Sequence, residues 1–383
     1  MFTPFKRVLI VSASVGAGHQ QAAKALAAEI RRNNCGVQVR IADFMGGEQS
    51  YLNSLVKEAY LKMIHLSPNI YDLLYRWSQA PSQYFTVQNL VARAMKRTMA
   101  RLYYRHRPDV IVFTHPFPCS AAAYLKRCHR IDVPLVAVVT DFAVHPLWLY
   151  EEVDMYFVAS EACSEDLIRL GAPADRVYPT GIPIDPSFRE PKDRRLIAGS
   201  LGFDPGLPIV LVMGGGLGFG SIERTVQQLE DMQLPLQLIV VAGKNPELRR
   251  QVQAVARTSR HRIVTLGYTH RIQQLMSAAD LLVTKPGALT LSEALASSLP
   301  MVLVDPIPGQ EEDNARYLVG EGAAVLAKGK EEVAQLVARL FSQPDTLNAM
   351  RENARRIAHP QSAAAVAQLL VERLGAKRGM ASG

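Results

Sequence analysis

The chain has 383 residues, too many for one ordinary hydrophobic core, so its length predicts two domains. Its composition is globular, with 48% hydrophobic and 20% charged residues, which excludes disordered and collagen-like proteins. Its formal net charge is +8, and its four cysteines form no Cys-x-x-Cys pair. That cysteine usage argues against a zinc site and a disulfide framework, and it indicates a reducing, cytoplasmic compartment.

The N-terminal region predicts neither a secretory signal nor a membrane anchor. No long apolar run follows its first basic residues, and the segment leads directly into a predicted strand. The longest uncharged stretch, residues 205–222, contains six glycines and predicts a strand and a loop instead of a membrane span. We therefore expect any membrane contact to be peripheral.

Short apolar runs predict ten strands. In the first half of the chain they are residues 8–12, 37–42, 110–114, 135–140 and 156–159. In the second half they are residues 209–213, 238–242, 263–266, 281–284 and 301–304. Most of these runs are continuously apolar, which is typical of parallel strands covered on both faces. Their alternation with helical segments predicts doubly wound α/β domains.

A segment rich in proline and charge, residues 181–208, interrupts this alternation and is interpreted as an interdomain linker. We therefore expect one domain at residues 1–190 and a second at 191–359, with a cleft between them. A C-terminal helix and tail follow at residues 360–383.

The first strand runs into a turn of small residues and then a helix that opens with Gly18 and His19. Small residues let the backbone approach a ligand, and a helix N-terminus favours negative charge. Gln21 occupies the position of the third glycine of a dinucleotide fingerprint, so that fingerprint is incomplete. His19 is a candidate general base, because imidazole titrates near neutral pH; the alternative is a turn histidine satisfied by the backbone.

Polar residues follow two further strands of the first half, in segments 114–117 and 140–148. Asp141 is a candidate to orient a histidine or to act as a rival base. These histidines and the carboxylate have no recognised metal-ligand spacing, so we expect no metal site. The candidates for acceptor contacts are Gly18, His115, Pro116, His145 and Trp148.

In the second half, Gly214, Gly215 and Gly216 follow a predicted strand and precede a helix. Successive glycine amides in this position can wrap phosphate oxygens, and the helix N-terminus adds its dipole. The alternative is a flexible connection between the strand and the helix.

The most informative segments are residues 284–293 and 305–314, each of which follows a strand. The first offers the cation of Lys285 and a helix start at Gly287 and Ala288 for a diphosphate, and then Glu293 for ribose hydroxyls. The second segment offers amide and carboxylate groups of the kind that a sugar requires, on Gln310, Glu311 and Asn314.

These motifs occur in a characteristic order: GAGH, HP, TDF with HPLW, MGGGLGFGS, LGY, TKPGALTLSEAL and PIPGQEEDN. Over roughly residues 6–325 this order resembles the diacylglycerol glycosyltransferases. That group includes the monogalactosyldiacylglycerol synthases of plants and bacteria and the bacterial processive diacylglycerol glucosyltransferases. The lipid II transferase MurG is a more distant relative.

The resemblance implies an α/β protein of the GT-B fold, with two doubly wound Rossmann-like domains facing across a cleft. It implies an inverting, metal-independent transfer of a hexose, with glucose favoured, from a UDP-sugar to diacylglycerol, and it implies no cofactor. The first domain would bind diacylglycerol, with His19 as the base, and the second would bind the donor. By this likeness the donor contacts are Tyr268 and Thr269 at uracil, Glu293 at ribose, Lys285 and Gly214–Gly216 at the phosphates, and Gln310, Glu311 and Asn314 at the sugar.

Residues 51–107 combine nine basic and nine aromatic residues with only two acidic ones. Basic charge favours an anionic surface, and aromatic rings with polar tips favour a membrane interface. We therefore expect this segment to bind anionic lipids, which would make the protein a peripheral protein of the cytoplasmic membrane face.

Several alternatives remain open at this stage. The donor sugar of a diacylglycerol transferase could be galactose, because the difference is one epimeric hydroxyl. Transfer of N-acetylglucosamine to lipid I is less favoured, because GAGH lacks the doubled glycines of the MurG turn. A nucleic-acid-binding protein would use the basic segment, but the sequence has no recognisable reading motif. A non-catalytic UDP-sugar sensor would keep the donor residues without turnover.

Overall fold

The computed structural model describes residues 5–14, 17–34, 36–46, 84–215, 222–329 and 332–381, without the side chains of residues 84–91 and 376–381. The chain divides into two compact units. Unit 1 comprises Met1–Pro186, Pro308–Gln310 and Pro360–Gly383. Unit 2 comprises Ser187–Ile307 and Glu311–His359.

The described residues of each unit form a six-stranded parallel sheet. The strands of unit 1 are β1 (Arg7–Ser12), β2 (Gln38–Asp43), β3 (Val110–Phe113), β4 (Leu135–Val138), β5 (Met155–Phe157) and β6 (Val177–Tyr178). The strands of unit 2 are β7 (Ile209–Met213), β8 (Gln237–Val241), β9 (Arg262–Leu266), β10 (Leu281–Thr284), β11 (Met301–Leu303) and β12 (Ala324–Leu326).

Helices connect the strands, as parallel pairing requires. The first group is α1 (Gly18–Asn33), α2 (Tyr84–His106), α3 (Pro116–Arg127), α4 (Glu161–Arg169) and α5 (Arg194–Ser200). The next is α6 (Ile222–Glu230), α7 (Pro246–Thr258), α8 (Ile272–Ala278), α9 (Ala288–Ala296) and α10 (Gln310–Gly320). The last is α11 (Glu332–Ser342), α12 (Pro344–Arg356) and α13 (Ser362–Ala381).

Burial explains why polar and apolar residues do not alternate along the central strands. Every residue of β3, β4, β7, β8 and β10 is buried, because helices cover both faces of each sheet. In unit 1, Ala23, Leu26 and Ile30 of α1 share a hydrophobic cluster with Val366 and Leu370 of the C-terminal helix α13. The terminal helix therefore completes the core of unit 1.

The strand orders locate the ligand-binding edge of each sheet. In unit 2 the order is β12-β11-β10-β7-β8-β9, and the direction of chain progression reverses between β7 and β10. In unit 1 the order is β2-β1-β3-β4-β5-β6, and the reversal lies between β1 and β3. Ligands of open α/β sheets bind outside the carboxyl ends of the strands at such a switch point.

The expected α/β class with two doubly wound, Rossmann-like units is confirmed. All ten expected strands form, with ends that differ by a few residues. The sequence analysis missed β6 and β12, which are edge strands of two and three residues and carry too short a pattern to recognise.

The expected linker at residues 181–208 is wrong in its second half, because α5 forms there. The Arg194 guanidinium at the start of α5 lies 2.6 Å from the Asp280 carboxylate, which fastens this helix to unit 2. In the part of the chain that the structure describes, no helix is long and apolar enough to cross a membrane.

Candidate functional site

Two loops of unit 2 follow neighbouring strands at its switch point. Gly214 and Gly215 follow β7, and Lys285, Pro286 and Gly287 follow β10, the neighbour of β7. The backbone of Gly215 has φ of +72°, a conformation that strongly favours glycine. A Cβ atom added at Gly215 or Gly287 would meet no other atom within 4 Å, so both backbones are open to an approaching group. Gly216 lies outside the described residues.

The loop after β10 leads into α9, which begins at Ala288. Its first turn presents backbone N–H groups and the positive end of the helix dipole at the carboxyl edge of the sheet. Glu293 is half-buried and lies one turn further along the same helix. This arrangement provides positive potential for an anion and, beside it, a carboxylate that can accept hydrogen bonds from hydroxyl groups.

The loop after β10 is also joined to α10, which follows the neighbouring strand β11. The Lys285 ammonium lies 3.3 Å from a carboxylate oxygen of Glu311. The same oxygen accepts a hydrogen bond from the backbone N–H of Ile307 at 2.8 Å. The side-chain amide of Asn314 donates to the carbonyl of Pro286 at 3.2 Å, and Asn314 is only 1% exposed. Gln310 begins α10. Asn314 thus joins α10 to the loop after β10 from a buried position.

Tyr268 and Thr269 follow β9, whose carboxyl end lies on the same edge of the sheet. The ring of Tyr268 is 40% exposed; the Lys244 ammonium lies 5.3 Å from its centroid, and the His270 ring contacts it edge-on at 5.1 Å. The Thr269 hydroxyl accepts from the N–H of Arg271 at 3.1 Å. The sequence analysis missed Lys244, although it follows β8 at the edge where the other candidates lie.

In unit 1, the switch point brings together residues from three strand ends. His19 lies in the first turn of α1, after β1; Thr114 and His115 follow β3, and Thr140 follows β4. The Nδ1 atom of His19 lies 2.7 Å from Oγ1 of Thr140, and the His19 and His115 rings meet edge-to-face at 4.8 Å. The Thr114 hydroxyl donates to the backbone carbonyl of His19 at 3.0 Å.

This environment favours the neutral form of both histidines. Burial lowers the pKa of His19 to about 4, and a hydrogen bond to the Thr114 carbonyl opposes that shift. Burial also lowers the pKa of His115 well below its ordinary value, and proximity to His19 adds to the effect. The helix N-terminus at His19 acts in the same direction, because it disfavours positive charge. A neutral imidazole can accept a proton, so His19 is suited to general base catalysis.

The histidines expected to contact an acceptor also cap helical turns. Nδ1 of His115 accepts from the N–H of Phe117, and Pro116 occupies the first turn of α3. Nδ1 of His145 accepts from the N–H of Leu147 at the start of the short 3-10 turn Pro146–Trp148. In that turn, Trp148 is only 2% exposed and belongs to the core of unit 1. Gly18 begins α1.

The hydrogen-bond partner of the His19 ring is Thr140, and the half-buried carboxylate of Asp141 follows Thr140 in the chain. The sequence analysis includes Thr114 and Thr140 only as members of longer segments. Nothing in the sequence distinguishes these hydroxyls from those of other buried threonines. Among the residues that the structure describes, no three His, Cys, Asp or Glu side chains cluster as metal ligands.

The expected membrane segment, residues 51–107, lies largely outside the described residues. Its described part contains α2, in which Met95, Met99 and Leu102 are buried. The opposite face of that helix carries the basic stripe, which is Arg93, Lys96, Arg97 and Arg101. Three of these side chains are exposed, and Lys96 lies over the Tyr124 ring at 5.4 Å.

Comparison with known folds shows the architecture. MurG of Acinetobacter baumannii has a TM-score of 0.65 at 19% identity, covering 96% of this chain and 99% of that one. Anabaena HepE in complex with UDP-glucose has a TM-score of 0.56 at 16% identity, covering 97% and 99%. These similarities concern the fold alone and confirm the two-domain GT-B architecture.

Comparison with known sequences is more specific. The family model for monogalactosyldiacylglycerol (MGDG) synthase matches residues 19–184, and the model for the glycosyltransferase family 28 C-terminal domain matches residues 209–369. A processive diacylglycerol beta-glucosyltransferase of Bacillus thuringiensis (strain Al Hakam) is 32% identical, covering 96% of this chain and 93% of the relative. The protein of the same name from Bacillus subtilis (strain 168) is also 32% identical, covering 91% and 90%. The chain therefore belongs to the family of the processive diacylglycerol beta-glucosyltransferases.

Proposed function

We propose that this protein transfers glucose from UDP-glucose to the free hydroxyl of 1,2-diacylglycerol and forms a β-glucosyldiacylglycerol. The observation that carries the proposal lies at the switch point of unit 2, in a chain of this family. There the glycine loop after β7 neighbours the loop after β10, and the Lys285–Glu311 contact joins the loop after β10 to α10. Repeated transfer to the product, as the names of the relatives state, is part of the proposal.

In this proposal residues 191–359 form the donor domain. Gly214–Gly216, Lys285, Gly287 and Ala288 bind the diphosphate, because open backbone amides, a cation and a helix dipole converge on it. Glu293 accepts hydrogen bonds from the ribose hydroxyls, and Tyr268 and Thr269 contact uracil. Gln310 and Glu311 bind the hexose, with Asn314 in support through the Pro286 carbonyl.

Residues 1–190 form the acceptor domain, with Gly18, His115, Pro116, His145 and Trp148 near the lipid hydroxyl. His19 accepts the hydroxyl proton as the oxygen bonds to the anomeric carbon, and the bond from that carbon to the diphosphate breaks with UDP as the leaving group. Attack from the face opposite UDP inverts the configuration to β. Preorganised amides and Lys285 stabilise the charge on UDP, so the chemistry needs no metal ion.

The basic stripe on α2 supports a peripheral position on an anionic membrane surface, at the cytoplasmic face, where UDP-sugars are available. Each basic residue near such a surface adds about 1 kcal/mol of attraction. In the same proposal, the aromatic residues of the wider segment 51–107 bind at the membrane interface.

The deciding experiment incubates the purified protein with dioleoylglycerol vesicles and, separately, with UDP-glucose, UDP-galactose or UDP-N-acetylglucosamine, all in EDTA. Product lipids are identified by mass, sugar analysis and anomeric configuration. We expect β-glucosyl products and their glucosylated successors. Galactosyl products would instead favour monogalactosyldiacylglycerol synthesis, the activity that gives its name to the family model matching residues 19–184. UDP binding without transfer to any lipid would favour a sensor, and activity only with added Mg²⁺ would contradict the metal-independent mechanism.

A further inference from the structure

The hydroxyl of Thr140 lies between two partners, the backbone carbonyl of Thr114 and the ring of His19. The Thr140 hydroxyl donates to the backbone carbonyl of Thr114 at 3.3 Å, and a carbonyl oxygen can only accept. The oxygen of Thr140 then presents its lone pairs to Nδ1 of His19 at 2.7 Å. When the hydroxyl hydrogen points to that carbonyl, the contact between Nδ1 and Oγ1 is a hydrogen bond only if Nδ1 carries the hydrogen.

We propose that Thr140 is a positioning residue that holds His19 in the Nδ1–H tautomer, so that Nε2 is the atom that accepts the proton of the acceptor hydroxyl. The inference rests on the proposed function, in which His19 is the general base. The chain of donors runs from the His19 ring to the Thr140 oxygen and from the Thr140 hydrogen to the Thr114 carbonyl. A hydroxyl thus performs the orienting task that a carboxylate performs in a Ser-His-Asp triad.

Burial makes this hydrogen bond effective. Thr140 is 6% exposed and Thr114 is fully buried, so little water competes for either oxygen. A hydrogen bond to the Thr114 backbone also acts on His19 and raises its pKa, against the larger effect of burial.

The titratable neighbour of His19 in this cluster is His115, which caps the start of α3. Its Nδ1 atom accepts from the N–H of Phe117, so its own proton is on Nε2 and its ring is neutral. His115 therefore packs against His19 without offering it a counter-charge. A neutral orienting group leaves the imidazolium that forms during transfer less stabilised than a carboxylate would, which favours rapid loss of the proton afterwards.

In the reaction, the proton leaves the lipid hydroxyl for Nε2 while the oxygen bonds to the anomeric carbon. The electron pair of the broken glycosidic bond leaves with UDP. The doubly protonated ring keeps its Nδ1–H bond to Thr140 throughout, and the Nε2 proton later passes to solvent. Without the Thr140 oxygen, the neutral ring can place its hydrogen on Nε2, which cannot then act as a base.

The test compares three variants of the full-length protein in the diacylglycerol assay. Thr140→Val removes the hydroxyl at nearly constant volume. It is expected to lower kcat by about 10- to 10²-fold, less than the roughly 10²- to 10⁴-fold that a general base contributes, with KM for UDP-glucose unchanged. Thr140→Ser restores the hydroxyl and is expected to restore most of kcat. Thr98→Val is the matched control, since it removes the hydroxyl of another buried threonine of unit 1, on α2, that has no part in the proposed reaction. It is expected to retain most of kcat.

Ring-nitrogen NMR of histidine-labelled protein provides a second readout, because the two neutral tautomers have distinct nitrogen shifts. His19 is assigned by the signal lost in His19→Ala. We expect the Nδ1–H tautomer in the native protein and a loss of that preference in Thr140→Val. The Nε2–H tautomer in the native protein, or equal kcat in Thr140→Val and Thr98→Val, would overturn the inference. Full kcat in His19→Ala would instead overturn the base assignment of the proposed function, so the two failures are distinguishable.

Discussion

The Lys285 ammonium lies 3.3 Å from the Glu311 carboxylate, and both side chains are largely buried. In the proposed donor site this carboxylate competes with the diphosphate of UDP for the same cation. The contact joins the loop after β10 to the helix after β11, and it balances a charge that would otherwise be costly to bury.

The first prediction concerns this competition. Glu311→Gln should tighten the binding of UDP alone by about threefold to tenfold, or roughly 0.6–1.4 kcal/mol, because Lys285 loses its counter-charge. The glutamine carbonyl can still accept from the N–H of Ile307, so the loop should hold. Titration calorimetry with UDP measures the change.

Glu312→Gln removes the same charge from the neighbouring position of α10 and serves as the control. An equal gain in both variants would assign the effect to general electrostatics and not to Lys285. Lys285→Met should weaken UDP binding in the same assay, and unchanged affinity would remove Lys285 from the diphosphate site.

The second prediction concerns Glu293. Glu293→Ala should weaken UDP binding by about 1.5–3 kcal/mol, the range for a hydrogen bond to a charged group. Glu247→Ala, on α7, removes an exposed carboxylate paired with Arg250 and should leave the affinity unchanged. Unaltered UDP binding in Glu293→Ala would exclude the ribose role.

The third prediction separates the two candidate bases. His19→Ala should lower kcat by about 10²- to 10⁴-fold with UDP-glucose binding nearly intact. Asp141→Asn should retain most of kcat, because the His19 ring bonds to Thr140. The opposite pattern would exchange their roles.

The same assignment predicts the pH dependence of kcat. Because the pKa of His19 is lowered to about 4, the base is already deprotonated near neutral pH. An acid limb of kcat should therefore appear well below the ordinary histidine pKa of about 6.5. If kcat instead falls near pH 6.5, and only His19→Ala abolishes that fall, then His19 titrates there and the lowered pKa is contradicted.

The fourth prediction concerns acid stability. The pKa of folded His115 is lowered, so the unfolded chain binds the proton first as pH falls below about 6.5. The stabilising contribution is therefore complete above that pH and is lost progressively below it. His115→Asn keeps an acceptor for the N–H of Phe117 but does not titrate. Between about pH 7.5 and pH 5.5 the urea midpoint should fall less for this variant than for the native protein, and equal falls would contradict the assignment.

The fifth prediction concerns membrane docking. Replacing the four residues of the basic stripe by glutamine should abolish most sedimentation with phosphatidylglycerol liposomes and leave UDP affinity unchanged. Binding by charge should also fall steeply with salt, since the screening length shrinks to about 3 Å at 1 M. The charge-matched control replaces four exposed arginines of unit 2, which are Arg249, Arg250, Arg257 and Arg260. Full retention by the stripe variant would refute the docking surface.

Local sequence patterns predicted ten of the twelve described strands, the loops that follow them and the family. Continuous apolar runs such as residues 209–213 and 281–284 have few alternatives to buried parallel strands, and glycine, proline and charge mark where each one ends. These signals are local, so they can be recognised in a single amino-acid sequence without a structure. The candidate loops after β7, β10 and β11 follow directly from those boundaries.

Tertiary structure alone decided which of these side chains meet. The pairing of β10 with β7 and β11 brings Lys285 to Glu311 and Asn314 to Pro286, over separations that no local pattern encodes. The hydrogen bond between His19 and Thr140 joins residues 121 positions apart, because β1, β3 and β4 end at one edge of a sheet. A threonine hydroxyl has no sequence signature of its own, and only the surrounding acceptors give it a direction.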